Sequence, residues 1–580
     1  MMNIKESYKV LFLLFLVLGV YYPALFAGIN SVDDWRLIAN LGDRISVDFW
    51  QLLRPTAGFY YRPSLLLSFI MDKFVWGLEP SFMHLENILL HACNTLLVFF
   101  IAKQVFPEQA KNGFELPLLT ALVFALHPIN TESVNWISGR TDLLGAFFTL
   151  LATFLLIKGA TELKSLPVML SSLCLILGIM SKDVMLFFYP VGCFLLYLYP
   201  TMELPPQSEK KQRLKFVLVY SLPFLTCGIL YLLSRVMLFS QNDQGMHHLA
   251  QFPQFVSFKM IGSLFKVFGF YIKKLFFPVP LNFAITRIDS HYLWVGIASF
   301  VIALFMAAKR SVSSFFFLIS FYLITPAAII AIANVAWTPV AERYLYLASA
   351  FWSVGLTSLL CNVLSYFKYY KTILLSCIIC LLCSFVFITS NRNIQWQDNV
   401  TLFKDTKSQS PKFTSINNEY AIALIDSGKF DEAEKQLTEG INNPENKNPL
   451  LYINFARIKM EQNKIGEARQ ILFNSFSNKE EGNQEVLKML ASIDEKRIMI
   501  GKFDNDEEKL LIIKDLLETY KLVYQKDGNP FSLYRFGQLA LSIGLKTEAR
   551  TAFARAYKEA QADTHYKKAA GILAEKLAEE

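Results

Sequence analysis

A chain of 580 residues that is 53% hydrophobic and only 18% charged is too apolar for an ordinary soluble protein and too long for one domain, which points to an integral membrane protein with a soluble part attached. The net charge of +8 does not call for nucleic acid, because the basic residues gather in short loops between apolar runs, where membrane topology already accounts for them. None of the eight cysteines lies in the polar tail, which argues against a disulfide framework or a zinc site there.

Lys5 and Lys9 precede a first apolar run over residues 8–27. This resembles a signal peptide but lacks a small-residue cleavage site with a polar continuation, so it is expected to remain as the first membrane span. Further apolar segments suited to a ~30 Å hydrocarbon core lie near 84–105, 115–127, 142–158, 165–180, 183–199, 215–239, 291–307, 313–333, 342–365 and 371–390. The stretch 255–278 is apolar but interrupted by Lys259, Lys266, Lys273 and Lys274, and is expected to lie in the interface or re-enter. About eleven crossings then place the basic loops, among them those with Lys103, Lys111, Lys158, Lys309, Arg310 and Lys368, on the cytoplasmic side. The N-terminus is inside. The loop 28–82, with Arg36, Arg44, Arg54 and Arg62, the loop 127–142 and the polar tail are outside. The domain boundary is expected at about 390, giving domains 1–390 and 391–580.

Directly after the first span the chain reads Asn30-Ser31-Val32-Asp33-Asp34-Trp35. Adjacent carboxylates repel, so the pair needs solvent, a helix N-terminus, a cation or a chemical role. Ser31 and Asp34 have the spacing of a capping box opening a helix, which accounts for one acid and not for both.

In the tail, residues 418–437 and 453–472 superimpose at an offset of 35, with Ala421 on Ala456, Gly428 on Asn463 and Ala433 on Ala468, and 535–553 repeats the pattern with Gly537, Gly544 and Ala549. Small residues let the two helices of a hairpin approach closely, and Gly or Asn makes the turn. The period resembles that of tetratricopeptide repeats, with one or two degenerate units expected in 484–530. Stacked units form an α-solenoid that binds peptide or protein.

Several motifs go further: Tyr61-Arg62-Pro63; Trp76-Gly77-Leu78 followed by Pro80; His84, Asn87 and His91; the run from Ala125 through His127, Glu132, Trp136, Ser138 and Arg140 to Asp142; Ser181-Lys182-Asp183; and Ala341-Glu342-Arg343-Tyr344-Leu345-Tyr346-Leu347. Together with the repeats they resemble the membrane family that joins transmembrane helices to tetratricopeptide repeats, whose animal members are protein O-mannosyltransferases and which has many bacterial relatives. Asp183 stands where the family usually has Glu, and the tail is shorter than in the animal enzymes.

The resemblance implies an all-α fold: a polytopic bundle of the GT-C glycosyltransferase type followed by the repeat solenoid. It implies transfer of a sugar, mannose by analogy, from a polyprenyl-phosphate carrier to a Ser/Thr hydroxyl of a protein acceptor, with inversion. Asp34, slightly ahead of Asp33, is the expected general base. No cofactor is required, though the pair could hold a divalent cation, and no metal site is assigned. Arg62, Arg140, Lys182 and Arg343 are candidates for the lipid phosphate, since a guanidinium donates two parallel bonds to phosphate. Glu342 would orient Arg343 or touch the sugar. The competing reading of each cation is interfacial snorkelling or an ion pair, such as Arg140 with Asp142 or Arg343 with Glu342. His84, His91 and Asp142 are candidate acceptor or sugar contacts, with helix packing favoured for the histidines. Expected partners are the lipid-linked donor, a protein acceptor held by the repeats and membrane lipid. The expected location is a bacterial inner membrane, or the endoplasmic reticulum in a eukaryote. A glycan or lipid acceptor, and a non-catalytic repeat scaffold for envelope assembly, are the rival readings; a transporter would need charges deep within spans.

Overall fold

The computed structural model describes residues 4–42, 61–106, 115–162, 164–198, 209–239, 258–309, 311–333, 337–338, 340–366, 371–444, 448–475, 483–501, 503, 505–560 and 564–579. Arg44, Arg54, Lys111, Arg310 and Lys368, and the start of the 255–278 stretch, lie outside these residues. Among the described residues the chain is helical, with one isolated antiparallel bridge, Ile285 to Val340, and no strand.

The chain forms two compact units, Met1–Ser410 and Pro411–Glu580. In the first, all eleven apolar segments are helical. Seven helices are long and apolar enough to cross a membrane: Glu6–Phe26, Pro80–Val105, Ile137–Glu162, Val217–Met237, Val312–Ala331, Glu342–Val363 and Leu375–Trp396. The remaining four segments form shorter apolar helices, Leu116–Leu126, Ser165–Ile179, Asp183–Leu196 and Tyr292–Ala308. Their shared core includes Val17, Phe124, Leu150, Phe188, Tyr271 and Trp352, all at most 2% exposed. Cys377, Cys380 and Cys383 are exposed along one spanning helix, and all eight cysteines are free.

The lysine-interrupted stretch is an amphipathic helix, α1 (Phe258–Phe276), packed against α2 (Tyr292–Lys309). Their crossing is set by two glycines. A Cβ on Gly269 would collide with the Tyr292 carbonyl oxygen, and one on Gly296 with that of Phe265.

Composition changes near Thr389, but the helix α3 (Lys371–Trp396) continues into polar sequence and is followed by α4 (Asn399–Gln409). Asp398 caps α4 by accepting from Val400 N and Thr401 N, both at 3.1 Å, and Leu402 and Phe403 are fully buried. Composition marks where lipid-facing surface ends. The division between compact units comes 20 residues later, between Ser410 and Pro411.

The second unit is a series of helical hairpins: Thr414–Asp426 with Phe430–Ile441, Leu450–Glu461 with Ile465–Phe473, Gln484–Ile500 with Asp506–Asp527, and Pro530–Ser542 with Lys546–Glu559, then Lys567–Glu579. Ala421, Ala433, Ala456, Ala468 and Ala549 are completely buried where paired helices touch. The turn positions Gly428, Asn463 and Gly544 have φ of +72°, +59° and +81°, the left-handed region that glycine and asparagine enter at least cost. Adjacent hairpins are tied by Asn454 Nδ2, which donates to Asn418 Oδ1 at 2.7 Å. The stretch 484–530 holds one enlarged hairpin.

Gly269→Leu is expected to destabilise the first unit by about 3 kcal/mol or more, because the clash is with backbone and no rotamer relieves it. Thermal unfolding in detergent measures this; an unchanged Tm would mean that α1 and α2 do not cross there.

Candidate functional site

The loops that carry the sequence motifs meet around one short stretch, Ile137–Asp142, which leads into the long helix α5 (Arg140–Glu162). Ser138 donates from its backbone N (3.0 Å) and from Oγ (2.5 Å) to Asp34 Oδ1. Arg140 reaches the helix Pro63–Trp76, where Nη1 meets Asp72 Oδ2 at 2.7 Å. Thr141 Oγ1 donates to the Ser181 carbonyl at 2.9 Å, and Asp142 pairs with Lys182.

Asp34 and Asp33 are separated by burial: Asp34 is completely enclosed and Asp33 is exposed. Helix Asp34–Gly42 begins at the second acid. The turn before this helix is bonded at Asn30. Asn30 Oδ1 accepts from Val32 N at 2.9 Å, and Asn30 N donates to Asp34 Oδ2 at 3.2 Å. Burial raises the Asp34 carboxyl to about 7, against the lowering effect of the bonds from Ser138 and Asn30, with Asp33 adding a small upward push.

The four expected cations do not share one environment. Arg140 is fully buried and each of its three nitrogens is engaged: besides Asp72 it meets Glu86 (3.1 Å), Asn87 Oδ1 (3.0 Å) and the Met83 carbonyl (3.0 Å), with Phe69 4.5 Å from its carbon. Its partners are Asp72 and Glu86 and not Asp142, because the first turn of α5 points residues 140 and 142 to different neighbours. Arg343 and Arg62 each lie within electrostatic range of Lys182, and burial lowers the Lys182 ammonium against the pull of Asp142.

Arg343 is held between the faces of Trp136 (4.8 Å) and Tyr344 (4.9 Å). Its partner is Glu132, not Glu342. Glu132 Oε1 takes the guanidinium, and Oε2 accepts the backbone N–H of Glu342 (3.0 Å) and Arg343 (3.1 Å). Burial raises the Glu132 carboxyl, with Arg343 opposing. Glu342 turns the other way, to Lys274 of α1 (2.6 Å) and the Asn282 backbone N (3.0 Å). Asp183 faces Arg235 and, at 3.8 Å, Arg62.

Lys182 lines a small cleft with a free volume of about 30 Å³. Asp142, Lys182 and Tyr344 form its polar end; Leu323, Ala327 and Ile330 of the helix Val312–Ala333 form an apolar wall.

The histidines divide. His91 bonds Tyr346 Oη (2.7 Å) and the Ala125 carbonyl (3.1 Å) inside the helix core. His127 accepts from Ile129 N at Nδ1 and faces the Leu275 carbonyl at Nε2, a neutral tautomer that burial holds at about 4. His84, 1% exposed, lies beside the backbone of Ala27 and Gly28. Ser138, Glu132, Asp72 and Lys274 were not singled out from sequence. Ser138 and Glu132 stood inside a quoted motif, and only their long-range partners mark them.

No family model matches the chain. Among curated proteins, it is 37% identical over 121 residues to protein O-mannosyl-transferase TMTC1 of Mus musculus, 20% of this chain and 12% of that protein. It is 39% identical over 132 residues to human TMTC1, 21% of this chain and 14% of that protein, and 35% identical over 140 residues to human TMTC4, 21% and 19%. The chain resembles the TMTC family. The match spans less than one fifth of the length of each of these relatives.

Removing one member of a buried ion pair strands the other. Arg140→Met is expected to cost about 3–5 kcal/mol, and Asp72→Asn/Arg140→Met less than the sum of the two single changes. A double-mutant cycle on thermal stability checks this, and additivity would show that the two side chains act independently.

Proposed function

We propose that the protein is a membrane glycosyltransferase that moves a sugar, mannose by analogy with the named relatives, from a polyprenyl phosphate to a hydroxyl of a protein acceptor on the extracytoplasmic side. One observation carries the reading: the segment 138–142 bonds both the buried carboxyl raised to about 7 and the lysine at the mouth of a half-apolar cleft. A lipid-linked sugar phosphate needs an anion site beside an apolar track, and the cleft supplies both.

In this mechanism the acceptor oxygen attacks the anomeric carbon while the bond from that carbon to the phosphate oxygen breaks, inverting the centre. The acceptor proton passes to Asp34. Because Asp34 is enclosed, the partly exposed Ser138 hydroxyl, 2.5 Å from Oδ1, takes that proton as it gives its own to the carboxylate. A base whose pKa lies near the working pH is the most effective compromise between ionised fraction and basicity. Lys182 has three N–H groups, one on Asp142, and meets the departing phosphate; Arg343, held flat by its aromatic neighbours, adds a planar donor. Arg140, with each of its three nitrogens engaged, braces the segment. The repeat unit presents the protein acceptor.

Asp34→Asn is expected to lower transfer by about 10²- to 10⁴-fold. Asp33→Asn, on an exposed carboxylate, should lower it by less than about tenfold. Wild-type transfer should rise with pH through a midpoint near 7, where Asp34 loses its proton. Comparative glycoproteomics of cells carrying each variant tests the pair, and equal effects at both positions would remove Asp34 from its role.

The same shift has a cost for stability. A carboxyl with a pKa of 3.8 unfolded and about 7 folded binds its proton more tightly in the folded state, so its contribution falls as pH rises across that window. Asp34→Asn should therefore gain in Tm relative to wild type as pH rises from about 4 to about 7, the span between the unfolded and folded values, followed by thermal unfolding in detergent. A gap that does not change with pH would contradict the burial argument.

A further inference from the structure

The carboxylate of Asp34 is held from one side by a peptide plane that is itself held from elsewhere. Asn30 N donates to Asp34 Oδ2 at 3.2 Å, and the other end of that same peptide unit, the Ile29 carbonyl, accepts from Asn399 Nδ2 at 2.8 Å. The unit is planar, so fixing its oxygen fixes the direction of its N–H. Two neighbours hold the preceding stretch in the same way: Asn393 Nδ2 donates to Val20 O (2.8 Å) and Gln397 Nε2 to Pro23 O (2.7 Å). Asn393 Oδ1 also accepts from Asn135 Nδ2 at 2.7 Å, joining this clasp to the loop before Ser138.

We infer that Asn399 is a positioning residue for Asp34, acting through the Ile29–Asn30 peptide to keep an N–H donor on the carboxylate and so to hold it ionisable. The inference rests on the reading of Asp34 as the base. Asn399 begins α4, immediately before the second unit, so the helix leading to the repeats is bonded to the carboxylate's own loop. It also opens the sequence Asn399-Val400-Thr401, an N-glycosylation pattern in which Nδ2 is already engaged and Thr401 Oγ1 is given to Asp398 Oδ2 at 2.5 Å.

A hydrogen bond to a carboxylate favours its ionised form, and a chain of two bonds through one amide strengthens both. Among the described residues, the charged and titratable groups on the elements around Asp34 include Asp33 on its own turn, Asp72 and Lys73 on Pro63–Trp76, His84, Glu86, His91 and Lys103 on Pro80–Val105, Arg140 beyond Ser138, and Asp398 before Asn399. None of these is changed by substituting Asn399 itself.

The test uses the full chain in detergent with Asn399→Leu, which keeps volume and removes the donor, and Asn399→Asp, which places an acceptor against the Ile29 oxygen. The protonated-carboxyl infrared band that Asp34→Asn abolishes is followed against pH in each protein. Its midpoint should move upward by about one pH unit or more in both variants, the size expected for a weakened bond to a charged group. Transfer at pH 7 should fall about fivefold through the lost ionised fraction and recover at pH 9 (two units above the native midpoint), in kcat and not in KM. An unmoved infrared midpoint overturns the inference whatever happens to transfer. A midpoint moved in the variants, with a wild-type protein that transfers no sugar, supports it and refutes the enzymatic reading alone. Transfer lost equally at every pH, with the midpoint unmoved, would mark Asn399 as structural only.

Discussion

Five residues, Ser138 to Asp142, are the point on which the rest of the first unit turns. Alternate side chains of this stretch bond the acid after the first span, the helix Pro63–Trp76 and the turn before Asp183. A segment entering a helix suits this work: its residues fan out at about 100° each, so neighbours in sequence address different elements. Gly139 permits the crowding, since a Cβ there would press against the Ser133 backbone.

The charges around this segment are costly to bury, and each is matched across a long stretch of chain. Arg140 with Asp72, Lys182 with Asp142, Lys274 with Glu342 and Arg343 with Glu132 are all pairs between distant elements. Such pairs repay little of their desolvation in net stability, while breaking one is expensive. They therefore specify which loops meet, and they leave Lys182 at a cleft with a polar end and an apolar wall.

The segment 389–409 is tied to the rest of the first unit largely by uncharged side chains, with one ion pair of its own, Arg392 with Asp405. Thr389, Asn393, Gln397 and Asn399 donate to carbonyls at Leu126, Val20, Pro23 and Ile29, and Gln409 to Leu281. Carbonyls at a helix end have no partner in their own helix, and side-chain amides satisfy them without adding charge near the lipid. In this way the last span organises the loop that begins at the end of the first.

Much of this was open to reading in the residues alone. Apolar runs located eleven helices of the first unit, seven of them long and apolar enough to cross a membrane, because burial in lipid demands continuous hydrophobic length. Alanines at an offset of 35 and the glycine or asparagine turns located the hairpins, because close helix contact and positive φ each admit few residue types. What sequence spacing does not carry is partnership across hundreds of residues. Neighbouring opposite charges suggested Arg140 with Asp142 and Arg343 with Glu342, yet packing assigned Asp72 and Glu132. Asp33 and Asp34 are nearly equivalent on paper. In the fold the second acid is buried, with Ser138 bonded to it, and the first is exposed, since burial belongs to the assembled surfaces and not to the chain.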